Sequence, residues 1–168
     1  LLLYTSGTTG QPKGALHCQR QLLNRFNWLW QNYPFAAGDL MVQRTSINFM
    51  PSLWEWLGGL VCGVATLIID DTTIKNPRRF LKTLAEQRAT HLAAVPSLLG
   101  MFLEGGNLAD LAGLRLLICG GEPLLPGLRS QLRANLPTTT ILNDYGATEM
   151  NGVLFNEYQP HQPVTETG

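Results

Sequence analysis

The sequence predicts an α/β fold, a largely parallel sheet with helices on both faces. Two observations carry that expectation. Short runs of continuous apolar character alternate with segments whose apolar residues recur at helical spacing, the pattern of strands buried on both sides and joined by covering helices. Charged residues make up only 14% of the 168 residues, against 45% apolar. That charged share falls below the roughly 25% typical of soluble domains, so much of the chain must be buried. The length suits a single hydrophobic core.

The elements follow in order. Leu1 to Tyr4 is a short strand that stops at a cluster of Thr, Ser and Gly. Between Gln19 and Trp30, the residues Leu22, Leu23, Phe26, Leu29 and Trp30 form one apolar stripe on a helix. Leu40 to Thr45 is a strand. Ser52, with Glu55 three residues on, has the form of a capping box and sets a helix start, which Gly58 and Gly59 weaken without forbidding. Ala65 to Ile69 is a buried strand. Asn76 before Pro77 is a cap followed by a first-turn proline, and Phe80, Leu81, Leu84 and Ala85 give that helix its buried face. His91 to Val95 is a strand; Pro96 and Ser97 open a short helix that Gly105 and Gly106 break. Leu114 to Cys119 is a strand, Pro126 to Leu136 a helix with Leu128, Leu132 and Leu136 four apart, and Thr139 to Leu142 the last strand.

Composition excludes several classes of function. Twelve basic residues balance twelve acidic ones, so the composition gives little support to a nucleic-acid or anionic-membrane footprint, and neither partner is expected. The longest apolar run, Leu57 to Ile69, is too short and too glycine-broken to span a bilayer. Cys18, Cys62 and Cys119 lack metal-ligand spacing, and an odd count argues against a disulfide framework, which makes a reducing, cytoplasmic location the expectation. His17, His91 and His161 form no cluster, and Trp28, Trp30, Trp54 and Trp56 sit at helical spacing that fits core packing. Leucines open the chain without an initiator Met, and Gly168 closes a polar stretch, so a piece of a larger protein is expected.

Chemistry concentrates in three loops that follow three strands. The first, Tyr4 to Gly14, holds four hydroxyls (Thr5, Ser6, Thr8, Thr9), three glycines (Gly7, Gly10, Gly14) and Lys13 within eleven residues, suited to cradling a polyphosphate. Its lysine spacing is not that of a Walker loop, which excludes a P-loop kinase or NTPase. The second is Gly120-Gly121-Glu122. The third is Asn143-Asp144-Tyr145-Gly146-Ala147-Thr148-Glu149. Ligands of open parallel sheets bind beyond the carboxyl ends of the strands, so the three loops are expected to converge on one ligand.

Tyr4 to Gly14 resembles the phosphate loop of the adenylate-forming enzymes, which include acyl-CoA synthetases, luciferases and the adenylation domains of nonribosomal peptide synthetases. Asn143 to Glu149 resembles that family's Asn-x-Tyr-Gly-x-Thr-Glu motif. Phe49-Met50-Pro51-Ser52-Leu53-Trp54-Glu55 and Leu117-Ile118-Cys119-Gly120-Gly121-Glu122-Pro123-Leu124 are similar to segments of its amino-acid-activating branch. Four motifs in order cover nearly the whole chain. The resemblance implies part of the large N-terminal domain of such an enzyme, with the small C-terminal domain, its catalytic lysine and the ribose-binding aspartate beyond residue 168.

The implied reaction has two steps: a carboxylic acid is activated on ATP as an acyl-adenylate with release of pyrophosphate, then passed to a thiol. That thiol is either coenzyme A or the phosphopantetheine of a carrier-protein domain in the same parent chain. By resemblance, Thr5, Ser6, Gly7, Thr8, Thr9, Gly10 and Lys13 hold the pyrophosphate, Thr148 donates to the α-phosphate and Glu149 holds Mg²⁺. Tyr145 lies against adenine, Gly120, Gly121 and Glu122 with Gly146 border the base, and Asn143 or Asp144 reads its amino edge. The fragment by itself is not expected to complete the reaction.

Met50 stands where amino-acid-activating relatives carry the aspartate that pairs with the substrate ammonium, and Pro51 where some β-amino-acid activators carry it. The stretch Leu23 to Trp30 is similar to that β-alanine-using branch. The remaining positions matching the acid pocket are Trp54, Ala93, Leu117, Cys119, Asp144, Gly152 and Val153, apolar apart from Asp144. Two substrate classes follow: an acid without an α-amine, which is preferred, or an acid whose more distant amine Asp144 anchors. A catalytically degenerate scaffold that binds nucleotide or a partner is the alternative from another class; Met50 and Pro51 permit it, while the intact phosphate loop and Thr148-Glu149 pair count against it.

Overall fold

The computed structural model describes residues 1–6, 10–150 and 154–160. A six-stranded sheet forms its centre: β3 (Leu40–Gln43), β4 (Ala65–Ile68), β5 (His91–Ala94), β6 (Leu116–Gly120), β7 (Thr140–Tyr145) and β8 (Leu154–Tyr158), in the order β4-β3-β5-β6-β7-β8. All neighbours run parallel except the edge pair β7–β8. A separate antiparallel hairpin joins β1 (Leu2–Thr5) and β2 (Lys13–Leu16). The helices are α1 (Gln19–Asn32), α2 (Pro51–Leu53), α3 (Asp71–Ile74), α4 (Pro77–Gln87), α5 (Pro96–Gly105) and α6 (Pro126–Asn135), with a 3-10 turn at Leu108–Leu111.

Successive strand residues point to opposite faces, and the structure fills both. On one face Val42, Leu92, Leu117, Cys119 and Ile141 meet α4, α5 and α6, with Phe80 and Phe102 fully buried and stacked 5.0 Å apart. On the other, Met41, Ala93, Leu116, Ile118 and Leu142 meet α1 and α2 through Phe26, Leu29, Leu53 and Trp54. The expected two-sided sheet is therefore present. Asn76 caps α4 by accepting from the Arg79 amide at 3.1 Å, and Pro77 follows as the first-turn residue.

Several expectations need correction. Ser52 caps nothing: its hydroxyl donates to the Phe49 carbonyl at 2.7 Å, and α2 starts one residue earlier, at Pro51. It runs directly into a π-helical turn, Trp54–Gly58, over which the Trp54 ring lies so closely that a Cβ on Gly58 would overlap it. Leu23, Ala85 and Trp56 are exposed rather than packed. Asn143, Asp144 and Tyr145 belong to β7 rather than to a loop, because they pair with Asn156, Phe155 and Leu154 of β8.

Candidate active site

A cavity of about 520 Å³, well within the range for small-molecule sites, opens at the carboxyl ends of β5, β6 and β7 on the α1–α2 face. Met50, Pro51 and Trp54 form one wall, Ala93 and Ile118 the floor, and Gly120, Gly121, Glu122 and Asp144 the far side, with Gly146 and Thr148 at the rim. Two of the three glycine-rich segments thus converge as expected. Gly120 sits where a Cβ would come within 3.0 Å of the Asp144 carbonyl, and Gly121 turns the chain at φ +82°. The Glu122 carboxylate accepts from the amide and the hydroxyl of Ser97 at 2.8 and 2.9 Å, which ties this loop to the start of α5.

The first loop is placed differently. It closes the β1–β2 hairpin, where Thr5 pairs with Lys13 and its hydroxyl comes 3.5 Å from the Lys13 carbonyl. Ser6, Gly10 and Lys13 are exposed, and no described residue of this hairpin lines the cavity. Gly7, Thr8 and Thr9 lie outside the described residues, as do Gly152, Val153 and His161. A physical link nevertheless joins hairpin and site: buried His17 donates from Nε2 to the Thr148 carbonyl at 2.6 Å. Glu149 is exposed beside the rim.

Leu117 and Cys119 do not belong to the cavity. Both are fully buried in the opposite core, and burial pushes the Cys119 thiol up to about 12. A slip of one residue along a strand exchanges its two faces, so the positions that reach the cavity are Ile118 and Gly120. The same alternation separates Asn143 from Asp144. Asp144 lines the cavity, whereas Asn143 does not. Tyr145 is 64% exposed, with its ring uncommitted to any core.

Charged residues missed by sequence reasoning define the polar side of the site. Arg25 reaches from α1 to Asp144, Nη2 to Oδ2 at 2.7 Å, with the two side chains 11% and 20% exposed. Burial lowers the Arg25 pKa, against the pull of Asp144, and burial raises that of Asp144, against the pull of Arg25. Arg44 lines the cavity and donates from Nε to the Ala93 carbonyl at 2.8 Å. Glu55 is fully buried; its carboxylate accepts from the amides of Arg44 and Thr45 at 3.0 and 2.7 Å and from the Thr45 hydroxyl at 2.5 Å. These bonds replace the expected capping box. Burial raises the Glu55 pKa, with those hydrogen bonds and Arg44 opposing.

The profile of the AMP-binding enzyme family matches residues 1–168, the whole chain. The chain belongs to that family. Among similar curated proteins is phosphinothricin tripeptide synthetase PhsB of Streptomyces viridochromogenes, 38% identical over 148 residues, covering 88% of this chain and 12% of the relative. The β-alanyl-bioamine nonribosomal peptide synthetase ebony of Drosophila melanogaster is 35% identical over 162 residues, covering 90% of this chain and 18% of the relative. The AMP-binding chain therefore spans less than a fifth of either relative. The solved structure of the Vibrio cholerae adenylation domain AlmE, in complex with glycyl-adenosine-5′-phosphate, superposes over 95% of this chain and 30% of its own length, with a TM-score of 0.86 at 23% identity. The fold is that of an adenylation domain. No helix among the described residues is long and apolar enough to cross a membrane.

Proposed function

We propose that the protein containing this chain activates a carboxylic acid without an α-amino group as its adenylate, and passes it to a thiol. The observation that carries the substrate class is the cavity lining: Met50 supplies no charge, and both lining carboxylates are already engaged, Asp144 by Arg25 and Glu122 by Ser97. An ammonium buried there would lack a free counter-charge. In the first step a carboxylate oxygen bonds to the α-phosphorus of ATP, the bond to the β-phosphate oxygen breaks, and pyrophosphate leaves with that electron pair.

The chain's own residues fit those roles. Thr148 stands at the mouth of the cavity with its backbone fixed by His17, able to donate to an α-phosphate oxygen. The hydroxyls Thr5, Ser6, Thr8 and Thr9 with Lys13 would hold the departing pyrophosphate. Gly120 and Gly121 leave the ledge bare for a flat base, and exposed Tyr145 offers it a stacking face. Among the described residues no three His, Cys, Asp or Glu side chains come together. Glu149, a hard oxygen donor exposed beside the rim, would hold Mg²⁺. Bound there, the ion would offset phosphate charge. The small C-terminal domain, a carrier-protein or coenzyme A thiol as acceptor, and a cytoplasmic location complete the proposal.

Acid-dependent ATP–pyrophosphate exchange by the complete protein tests it, with benzoates, hydroxy acids, short fatty acids, β-alanine and the common α-amino acids. Exchange with acids lacking an α-amine is expected. Exchange only with α-amino acids would contradict the substrate class, and ATP binding without exchange would favour the scaffold reading.

A further inference from the structure

A largely desolvated ion pair lining the cavity needs a reason, since two desolvated charges rarely add stability over well-packed apolar residues. The Arg25–Asp144 pair is anchored without help from a ligand. The Arg25 guanidinium lies 4.1 Å from the ring centre of Phe155, which in turn stacks on Trp28 at 4.3 Å. The middle of α1 and the edge strand β8 therefore hold the cation in place. Its second nitrogen, Nη1, and the second oxygen of Asp144, Oδ1, have no hydrogen-bond partner among the described residues. The pair is thus a single contact rather than a fork, and Asp144 retains one free acceptor.

We infer that Arg25 is a specificity-determining residue that excludes acids carrying a distal amine. It occupies Asp144, the lining carboxylate an ammonium would seek, and it sets its own positive charge at the same spot. Discrimination here rests on a repulsive element rather than on an added attraction to the accepted acid. Arg44, the other cavity-lining cation, adds to the same field. Removing the Arg25 charge should unmask Asp144 as an amine anchor.

This inference rests on the proposed acid activation, and the test separates the two. Exchange is measured on the complete protein with matched pairs that differ by an ammonium for a methyl: β-alanine and butanoate, 4-aminobutanoate and pentanoate, 4-(aminomethyl)benzoate and 4-ethylbenzoate. In Arg25→Met, which keeps an unbranched apolar stem against Phe155, the amine-to-methyl ratio of kcat/KM is expected to rise at least about tenfold in the best pair. It should return toward the original value in Arg25→Met/Asp144→Leu, and Arg25→Lys should keep the original ratio. An unchanged ratio in a folded Arg25→Met protein overturns the inference while leaving acid activation standing. No exchange by the unmodified protein with any acid overturns both. Should Arg25→Met fail to fold, Asp144→Asn leaves the guanidinium unopposed, so glutarate must gain on pentanoate at least about threefold; no gain overturns the inference.

Discussion

The two faces of the central sheet are built from alternate residues of the same strands and meet opposite demands. Behind the sheet, Leu117, Cys119 and Ile141 meet α4, α5 and α6 in an apolar core, with buried Arg129 of α6 and the Tyr158 ring it lies over at its edge. In front, Ile118 and Gly120 open onto a cavity bordered by Arg25, Arg44 and Asp144, with Glu55 buried close by and His91 buried at the amino end of β5. Stability is concentrated on the first face. The second accepts buried charge and a π-helical turn, features that recur where a protein binds ligands. Each face should fail in its own way.

The largest effect is expected from the rear core. Phe80→Ala removes a fully buried ring and should cost about 3–5 kcal/mol, read as a lowered unfolding midpoint of the complete protein, with the KM for the acid changed less than about threefold. A comparable KM change would mean that the faces are not independent.

Next comes a pH effect confined to the front. Burial holds the His91 imidazole down at about 4, with Asp39 opposing and Arg115 adding to the shift; the Phe35 ring lies 4.8 Å from it. The folded pKa lies below the ordinary 6.5, so the unfolded chain binds more protons between those values. Stability should therefore be full above about pH 6.5 and fall as pH drops toward 4, by at most about 3 kcal/mol from this group. The slope of the unfolding midpoint against pH should flatten in His91→Gln; an unchanged slope would place the titration elsewhere. The smallest effect belongs to the solvent side of α4, where Lys82 and Glu86 pair at 3.7 Å with side chains 74% and 61% exposed. Lys82→Ala should move stability by no more than about 0.5 kcal/mol and leave exchange alone.

The fold was largely legible because its strands and helices carry distinct periods. Phe80, Leu81 and Leu84 announced α4, and Asn76-Pro77 its start. What escaped were short, mostly exposed elements such as β2 and β8, whose residues face solvent too often to show a buried alternation. Of the three segments singled out, the two that line the cavity were legible through Gly120, Gly121 and Gly146 with the carboxylates Glu122 and Asp144, while the hydroxyl-rich first loop lies apart from it. The register within β6 was not, since a strand buried on both faces shows continuous apolar character and nothing in Leu-Leu-Ile-Cys tells which residue faces which way. Arg25 looked like any polar residue on an amphipathic helix; its partner lies 119 residues away, and only the folded chain brings them together. Glu55 mimicked a cap because its spacing to Ser52 was right, although its true partners precede it in the chain.

The most direct measurement of the account is the KM for the acid in ATP–pyrophosphate exchange by the complete protein carrying Ile118→Ala or Leu117→Ala. With a front-facing site, Ile118→Ala should shift the acid KM or the preferred acid by about tenfold, beyond the stability loss that truncating a buried isoleucine brings. Leu117→Ala should cost about 2–5 kcal/mol of stability and leave the acid KM unchanged. An acid KM that responds to Leu117→Ala and not to Ile118→Ala would contradict the placement of the site.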